Sequence, residues 1–288
     1  MKFEQMGFFI HHPLIEFEIV IEDINKLRLH EEVLPDALIK LEDQIKRDGY
    51  LKHPVIVDIN TYIVLDGVHR VVATKNIGCR FIPICLVDYK NPYIAVYNWY
   101  RTINGPSNFE KVVEIIKGLN FTIERCLKDH AHKIVNKREA IAALISNEDA
   151  RLILGSSMSI KETYDMIKRI EIVLRANGFS INFETADDAH SKLINNEVLA
   201  LLVTPSLSKE DIINTTLAGK VFAPKTTRHV IPARPLFINI PIEWLSGRMS
   251  LEEANNALVK YLSTKQLVLL TKGQILDRRY EEEIYIFR

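Results

Sequence analysis

Residues 54–75, PVIVDINTYIVLDGVHRVVATK, leave the first third of the chain little freedom. PVIVDI is a short β-branched run and YIVL a second one. Only Asn60 and Thr61 separate them, which predicts a hairpin. Asp66 and Gly67 then break the strand, and helical spacing begins and runs to Asn76, with Gly78 as its stop. Upstream, residues 14–21 alternate as a strand does, and Pro35 opens a helical pattern that Gly49 ends. Downstream, FIPICLVDY is another apolar strand. Strands alternating with helices over roughly the first 100 residues make a compact α/β unit.

A turn at Gly105–Pro106 marks a soft boundary, and the pattern beyond it is α+β. GPSNFEKVVEIIKG reads as a turn and an amphipathic helix, and EAIAALIS and RLILG as strands. Ser159 and Glu162 form a capping box ahead of a long helix. A shorter helix over ADDAHSKLINN, the strand EVLALLV and a helix ended by Gly219 follow. After Leu245 come one more helix, MSLEEANNALVKYLSTK, and two strand-like pieces, QLVLLTKG and EEIYIFR. DRRYEEE, ahead of the last strand, reads as a solvated charge run. The expected organisation is therefore residues 1–104, residues 105–245 and an extension over 246–288.

At 288 residues the chain can bury a sizeable core, and 47% apolar with 26% charged residues suits an ordinary folded protein. Lysine plus arginine equals aspartate plus glutamate, 37 each, so no global field attracts a polyanion. No nucleic-acid partner is expected on that ground. The longest apolar stretches, such as VLALLV, are too short to span a bilayer, and no membrane partner is expected either. The opening MKFEQMGFFIHHP lacks the pattern of a signal peptide, and a cytoplasmic protein is expected. Cys79, Cys85 and Cys126 have no metal-ligand spacing; Cys79 and Cys85 read as reduced core residues. No residue is assigned as a metal ligand.

The turn at Asp66–Arg70 carries the first candidate site. A helix start is the positive end of its dipole, so Arg70 there is misplaced by about 0.3–1 kcal/mol. A phosphate docked on the unpaired N–H groups of the first turn would reverse that penalty, with His69 and Arg70 adding charge-assisted hydrogen bonds. Gly67 would let the backbone approach such a ligand. The plainer alternative has Asp66 capping the helix while Arg70 points to solvent.

A second cationic cluster lies in VFAPKTTRHVIPARP, where Lys225, Arg228 and His229 enclose the hydroxyls of Thr226 and Thr227 between two prolines. A rigid loop of cations and hydroxyls suits polyphosphate oxygens, and an exposed basic loop is the alternative. If the two clusters converge, they could grip one nucleotide and the group it transfers. In LHEEVLP, one glutamate suffices to complement the following helix dipole, a role assigned to Glu32. Glu31 is then a candidate proton acceptor.

Together LHEE, LDGVHR with the trailing IPICLVDY, NWY and VFAPKTTRHVIP resemble the free L-serine kinases, from about Leu14 to Leu245. The resemblance implies a ParB/sulfiredoxin-like N-terminal domain plus a second α+β domain, with the active site in the cleft between them. It implies phosphorylation of free L-serine to O-phospho-L-serine, by ADP in an archaeal form or ATP in a bacterial siderophore branch. On the matching positions it implies Glu31 as general base and Asp66 as a second catalytic residue. Lys225, Thr226, Thr227, Arg228 and His229 would serve as substrate and phosphate contacts, and Trp99 would lie near the serine pocket, a core role being the alternative. Gly67, His69 and Arg70 would hold the donor phosphates. Asp66 beside phosphate oxygens calls for a divalent cation or a proton between them, so Mg2+ is expected, bound mainly through the nucleotide. Val68 departs from the archaeal ADP-dependent pattern, which leaves ADP or ATP open. Val68 also lies where sulfiredoxin needs a cysteine. The alternative function is a ParB-like nucleotide-binding or DNA-associated regulator without kinase activity.

Overall fold

The computed structural model describes residues 7–155, 158–276 and 279–288. The chain divides into two compact units. The first comprises residues 1–95, 212–221 and 229–288, the second residues 96–211 and 222–228.

In the first unit a five-stranded mixed sheet runs β1 (Phe8–His12), β2 (Ile15–Asp23), β6 (Phe81–Val87), β4 (Val55–Asp58), β5 (Val64–Asp66) in spatial order. All neighbours are antiparallel except β4 and β6. β6 is buried along its whole length, which explains its unbroken apolar sequence and the sealed Cys85 thiol. The hairpin of β4 and β5 forms as the sequence predicts, although its second strand starts at Val64 and a register shift follows Ile56. Helix α1 (Pro35–Asp48) has proline at its start and ends on Gly49 in the left-handed conformation. It packs against α2 (Val68–Asn76). A two-residue strand β3 (Tyr50–Leu51) pairs with Ile240–Pro241.

The segment after 245 is integral to this unit. Helix Leu251–Ser263, with Ser250 and Glu253 as a capping box, lies on β2. Its buried Asn255 takes a hydrogen bond from the Ile21 N–H and returns one to the Ile21 carbonyl. Strand Glu283–Phe287 runs parallel to Ala233–Leu236 and antiparallel to Leu267–Leu270, forming a separate three-stranded sheet.

The second unit is an antiparallel sheet in the order Ser180–Glu184, Tyr100–Asn104, Ala200–Val203, Ala142–Ile145, Ala150–Leu154, Thr122–Arg125. Helix Ile160–Ala176 starts at the predicted capping box of Ser159 and Glu162 and packs on helix Phe109–Lys117. This is the α+β arrangement the sequence implies. Among the described residues no helix is long and apolar enough to cross a membrane.

Candidate active site

Asp66 closes β5 and Gly67 caps α2 with φ at 102°, a left-handed conformation that disfavours any other residue. A Cβ on Gly67 would sit 2.7 Å from Arg70 Nη2 and 2.8 Å from its Nε. What approaches the backbone here is thus the guanidinium of Arg70, folded back across the turn. It meets the Asp66 carboxylate at 2.8 Å. This corrects the expectation that Arg70 needs a bound anion to be favourable, because a side-chain anion one turn earlier already offsets the helix dipole.

Asp66 has a second cationic neighbour, Arg234 Nη1 at 2.9 Å. Arg234 is only 5% exposed, donates to the His229 carbonyl at 3.1 Å and pairs through Nε with the equally buried Glu282. Burial opposes its charge, but Asp66 and Glu282 outweigh that cost and hold it cationic. Asp66 is therefore flanked by two guanidiniums, which neutralise its charge at the start of the helix.

The loop before α1 is tied to this turn. The Leu34 N–H donates to His69 Nε2 at 2.9 Å, so that nitrogen carries no proton. Glu31 lies on the same loop, largely buried, with its carboxylate 3.7 Å from His30 Nε2. His30 meets His229 edge-on at 5.3 Å between ring centres, and the Tyr89 hydroxyl shares a 2.8 Å hydrogen bond with His229 Nε2. The buried Asp58 carboxylate in turn accepts from the Tyr89 N–H. Burial holds the His229 imidazole well below its ordinary pKa, reinforced by His30 and Arg234. His30 is lowered for the same first reason, against the opposing pull of Glu31. His229 is thus a neutral, sealed residue and not the cation its place in the motif suggests. Beside the turn opens a cavity of about 330 Å³, with Ile45, Tyr50, His53, Asp66, His69 and Arg70 in its wall. Its size is in the range of small-molecule sites.

The remaining predicted residues gather in the second unit. Trp99 is half-buried and not a core residue; its indole N–H donates to the Thr227 carbonyl at 3.0 Å. Lys225 Nζ stands 5.0 Å from the centre of that ring and the Arg228 guanidinium 5.8 Å, both within cation–π range. Arg228 is also 5.9 Å from the Tyr97 ring. Lys225 has φ at 60°, which is uncommon for a residue with a side chain. Thr226 is fully buried and its hydroxyl donates to the Ala223 carbonyl at 2.8 Å, so as placed it shapes the loop. Thr227 is 7% exposed. Arg101, wholly buried, donates to the Trp99 carbonyl at 2.7 Å and pairs with Glu171 at 2.7 Å, which fixes the Trp99 backbone.

Three site residues escape the sequence reading: Arg234, Tyr89 and Glu282. Arg234 lies in the IPARP segment, and an arginine between two prolines is the signal that could have found it. Glu282 sits inside the run read as solvated charge. Tyr280 and Glu282 are instead 2% and 6% exposed, while Asp277 and Arg278 of that run lie outside the described residues.

No family model matches the chain. It is 29% identical over 239 residues to an ATP-dependent L-serine kinase of Staphylothermus marinus, covering 81% of this chain and 93% of that protein. It is 23% identical to an ADP-dependent L-serine kinase of Thermococcus kodakarensis, over 81% of this chain and 95% of the relative. The solved structure of a free serine kinase in complex with AMP superposes with a TM-score of 0.67 at 22% identity, over 79% of this chain and 93% of that one. Along four fifths of its length, the chain is thus similar to L-serine kinases and shares the free serine kinase fold.

Proposed function

We propose that this protein transfers a phosphoryl group from ADP or ATP to the hydroxyl of free L-serine, giving O-phospho-L-serine. The observation that carries this reading is Asp66, paired with Arg70 and the buried Arg234 and lining, with Arg70, a cavity of about 330 Å³, in a chain similar to L-serine kinases over four fifths of its length.

In-line transfer needs positioning and charge neutralisation more than covalent chemistry by the protein. The N–H groups after Gly67, with Arg70, hold the donor phosphates. His69 accepts from Leu34 through Nε2, so it ties the loop bearing Glu31 to the phosphate turn. Glu31 takes the proton of the serine hydroxyl as that oxygen bonds to phosphorus, and AMP or ADP leaves. Lys225, Thr227 and Arg228 contact the serine carboxylate or the moving phosphoryl group, and Trp99 lines the serine pocket. His229, neutral and buried, supports this chemistry through the Arg234 and Tyr89 bonds. That both groups of residues act on one bound molecule is part of the proposal.

We infer that Mg2+ accompanies the nucleotide, bound mainly through its phosphates and water. Among the described residues no cluster of three or more His, Cys, Asp or Glu could hold a metal, and the Asp66 carboxylate is already paired with Arg70 and Arg234. Bound so, it would supply further neutralisation of phosphate charge. A soluble nucleotide and a free amino acid suit a cytoplasmic enzyme.

Phosphorus NMR of the protein with Mg2+, serine, and ADP or ATP in separate tubes tests the proposal. A serine-dependent phosphomonoester signal with AMP or ADP as co-product is expected. Neither nucleotide being consumed in the presence of serine would overturn it.

A further inference from the structure

Arg70 and Arg234 both reach Asp66, but they are held differently. Arg70 comes from the same helical turn and is partly open to solvent. Arg234 comes from strand Ala233–Leu236 and is buried, and a guanidinium in that setting persists only where anions neutralise it. One of those anions is Asp66 and another is Glu282. Glu282 belongs to the segment beyond Leu245, outside the stretch whose motifs resemble the serine kinases.

The fold fixes Glu282 from several sides. The strand that follows it runs parallel to the strand of Arg234, with Arg234 opposite Ile284. Ile284 and Ile286 join Leu236 and Tyr280 in a small core, and Glu283 pairs with His12 at 2.8 Å. The result is a chain of alternating charges, Arg70, Asp66, Arg234, Glu282. Its sum is zero, and without Glu282 the buried end would carry an uncompensated cation whose nearest relief is Asp66. We propose that Glu282 is a positioning residue of the reaction: it fixes Arg234 and shares its charge, so that Asp66 keeps its orientation and its negative character at the phosphate turn. The C-terminal segment is on this view part of the active site. A pair serving the core alone would not end on Asp66 and the His229 carbonyl, both of them in the candidate site.

The inference rests on the kinase reading, and its test separates the two. In the full chain, Glu282→Gln is expected to lower kcat by about tenfold to a hundredfold, as loss of outer-shell partners does, while KM for nucleotide and serine changes little. In an Arg234→Gln background the same change should have no further effect, because Glu282 acts through Arg234. An unchanged kcat, or losses that multiply in the double variant, would overturn the inference. Glu282→Asp, which retains the charge, should recover part of the turnover. A second measurement needs no activity. The falls in Tm caused by Glu282→Gln and Asp66→Asn should be non-additive in the double variant, since the two carboxylates share Arg234. Additive shifts would break the link. If the wild type transfers no phosphoryl group, the kinase reading fails, and the thermal cycle still decides whether Glu282 and Asp66 are coupled.

Discussion

Arg70 turns back over Gly67 so that its guanidinium meets the Asp66 carboxylate at 2.8 Å, and the missing side chain of Gly67 is what leaves room for it. Gly67→Ala should displace Arg70 and strain the turn, at a cost of about 1–3 kcal/mol. Gly78 is the control: its φ is 87°, and a methyl group there would meet nothing within 4 Å. Gly78→Ala should therefore cost stability without touching turnover. Thermal unfolding and turnover measured on both variants check this. Equal effects on turnover would refute the role given to the Arg70 contact.

Glu31→Gln keeps the size of the side chain and removes its capacity to accept a proton. Turnover should fall about 10²–10⁴-fold, the usual contribution of a general base. Nucleotide affinity by calorimetry should stay close to that of the wild type. An unaltered turnover number would take Glu31 out of the mechanism.

Trp99 is one of two tryptophans, the other being Trp244. In a Trp244→Phe background its emission reports on the Lys225–Arg228 loop alone, and serine with nucleotide should shift it. Trp99→Phe loses the hydrogen bond to the Thr227 carbonyl and weakens the contacts with Lys225 and Arg228. At about 0.5–1.5 kcal/mol for the bond, KM for serine should rise by up to about tenfold. Steady-state kinetics at saturating nucleotide measure it, and an unchanged KM would place Trp99 away from the substrate.

Stability should depend on pH through His30 and His229. Both are held neutral in the fold by burial, whereas in the unfolded chain each titrates near its ordinary value of about 6.5. The unfolded state therefore binds more protons as pH falls through that value, so stability is complete above it and declines below. Each group can remove up to about 1.4 kcal/mol per pH unit in that range. Urea midpoints should be flat from about pH 8 to about pH 7 and then fall toward about pH 5.5, with a shallower fall in His229→Asn. A variant curve parallel to the wild type would show that His229 is not the sealed group described.

The order of elements is legible wherever a local signal stands alone. Pro35 and Gly49 bound one helix, and Ser159 with Glu162 opens another, each through backbone chemistry confined to a few residues. The elements that escape the sequence lack such signals: strand Thr122–Arg125 has no buried residue, and helix Lys128–Asn136 has no side-chain cap. Among the candidate residues, the Asp66–Arg70 turn of the first unit and the Lys225–Arg228 loop of the second are each visible as a cluster of charge. The protonation of His229 is not, because it follows from burial against His30 and Arg234, the first of them distant in sequence. Glu282 is hidden for a related reason. A run of charges carries no mark of a member, such as Glu282, that folds inward to meet a partner 48 residues away.

The bond between His12 and Glu283 joins positions 271 apart, and Asn255 reaches Ile21 across 234. These two contacts of the first unit form only after very long loops close, an entropic delay that slows the assembly of such topologies. Refolding of this protein should be slow, and the Asp66–Arg234–Glu282 linkage should be among its last parts to form. Partly assembled molecules would then be recognisable by the absence of activity before any loss of helical signal.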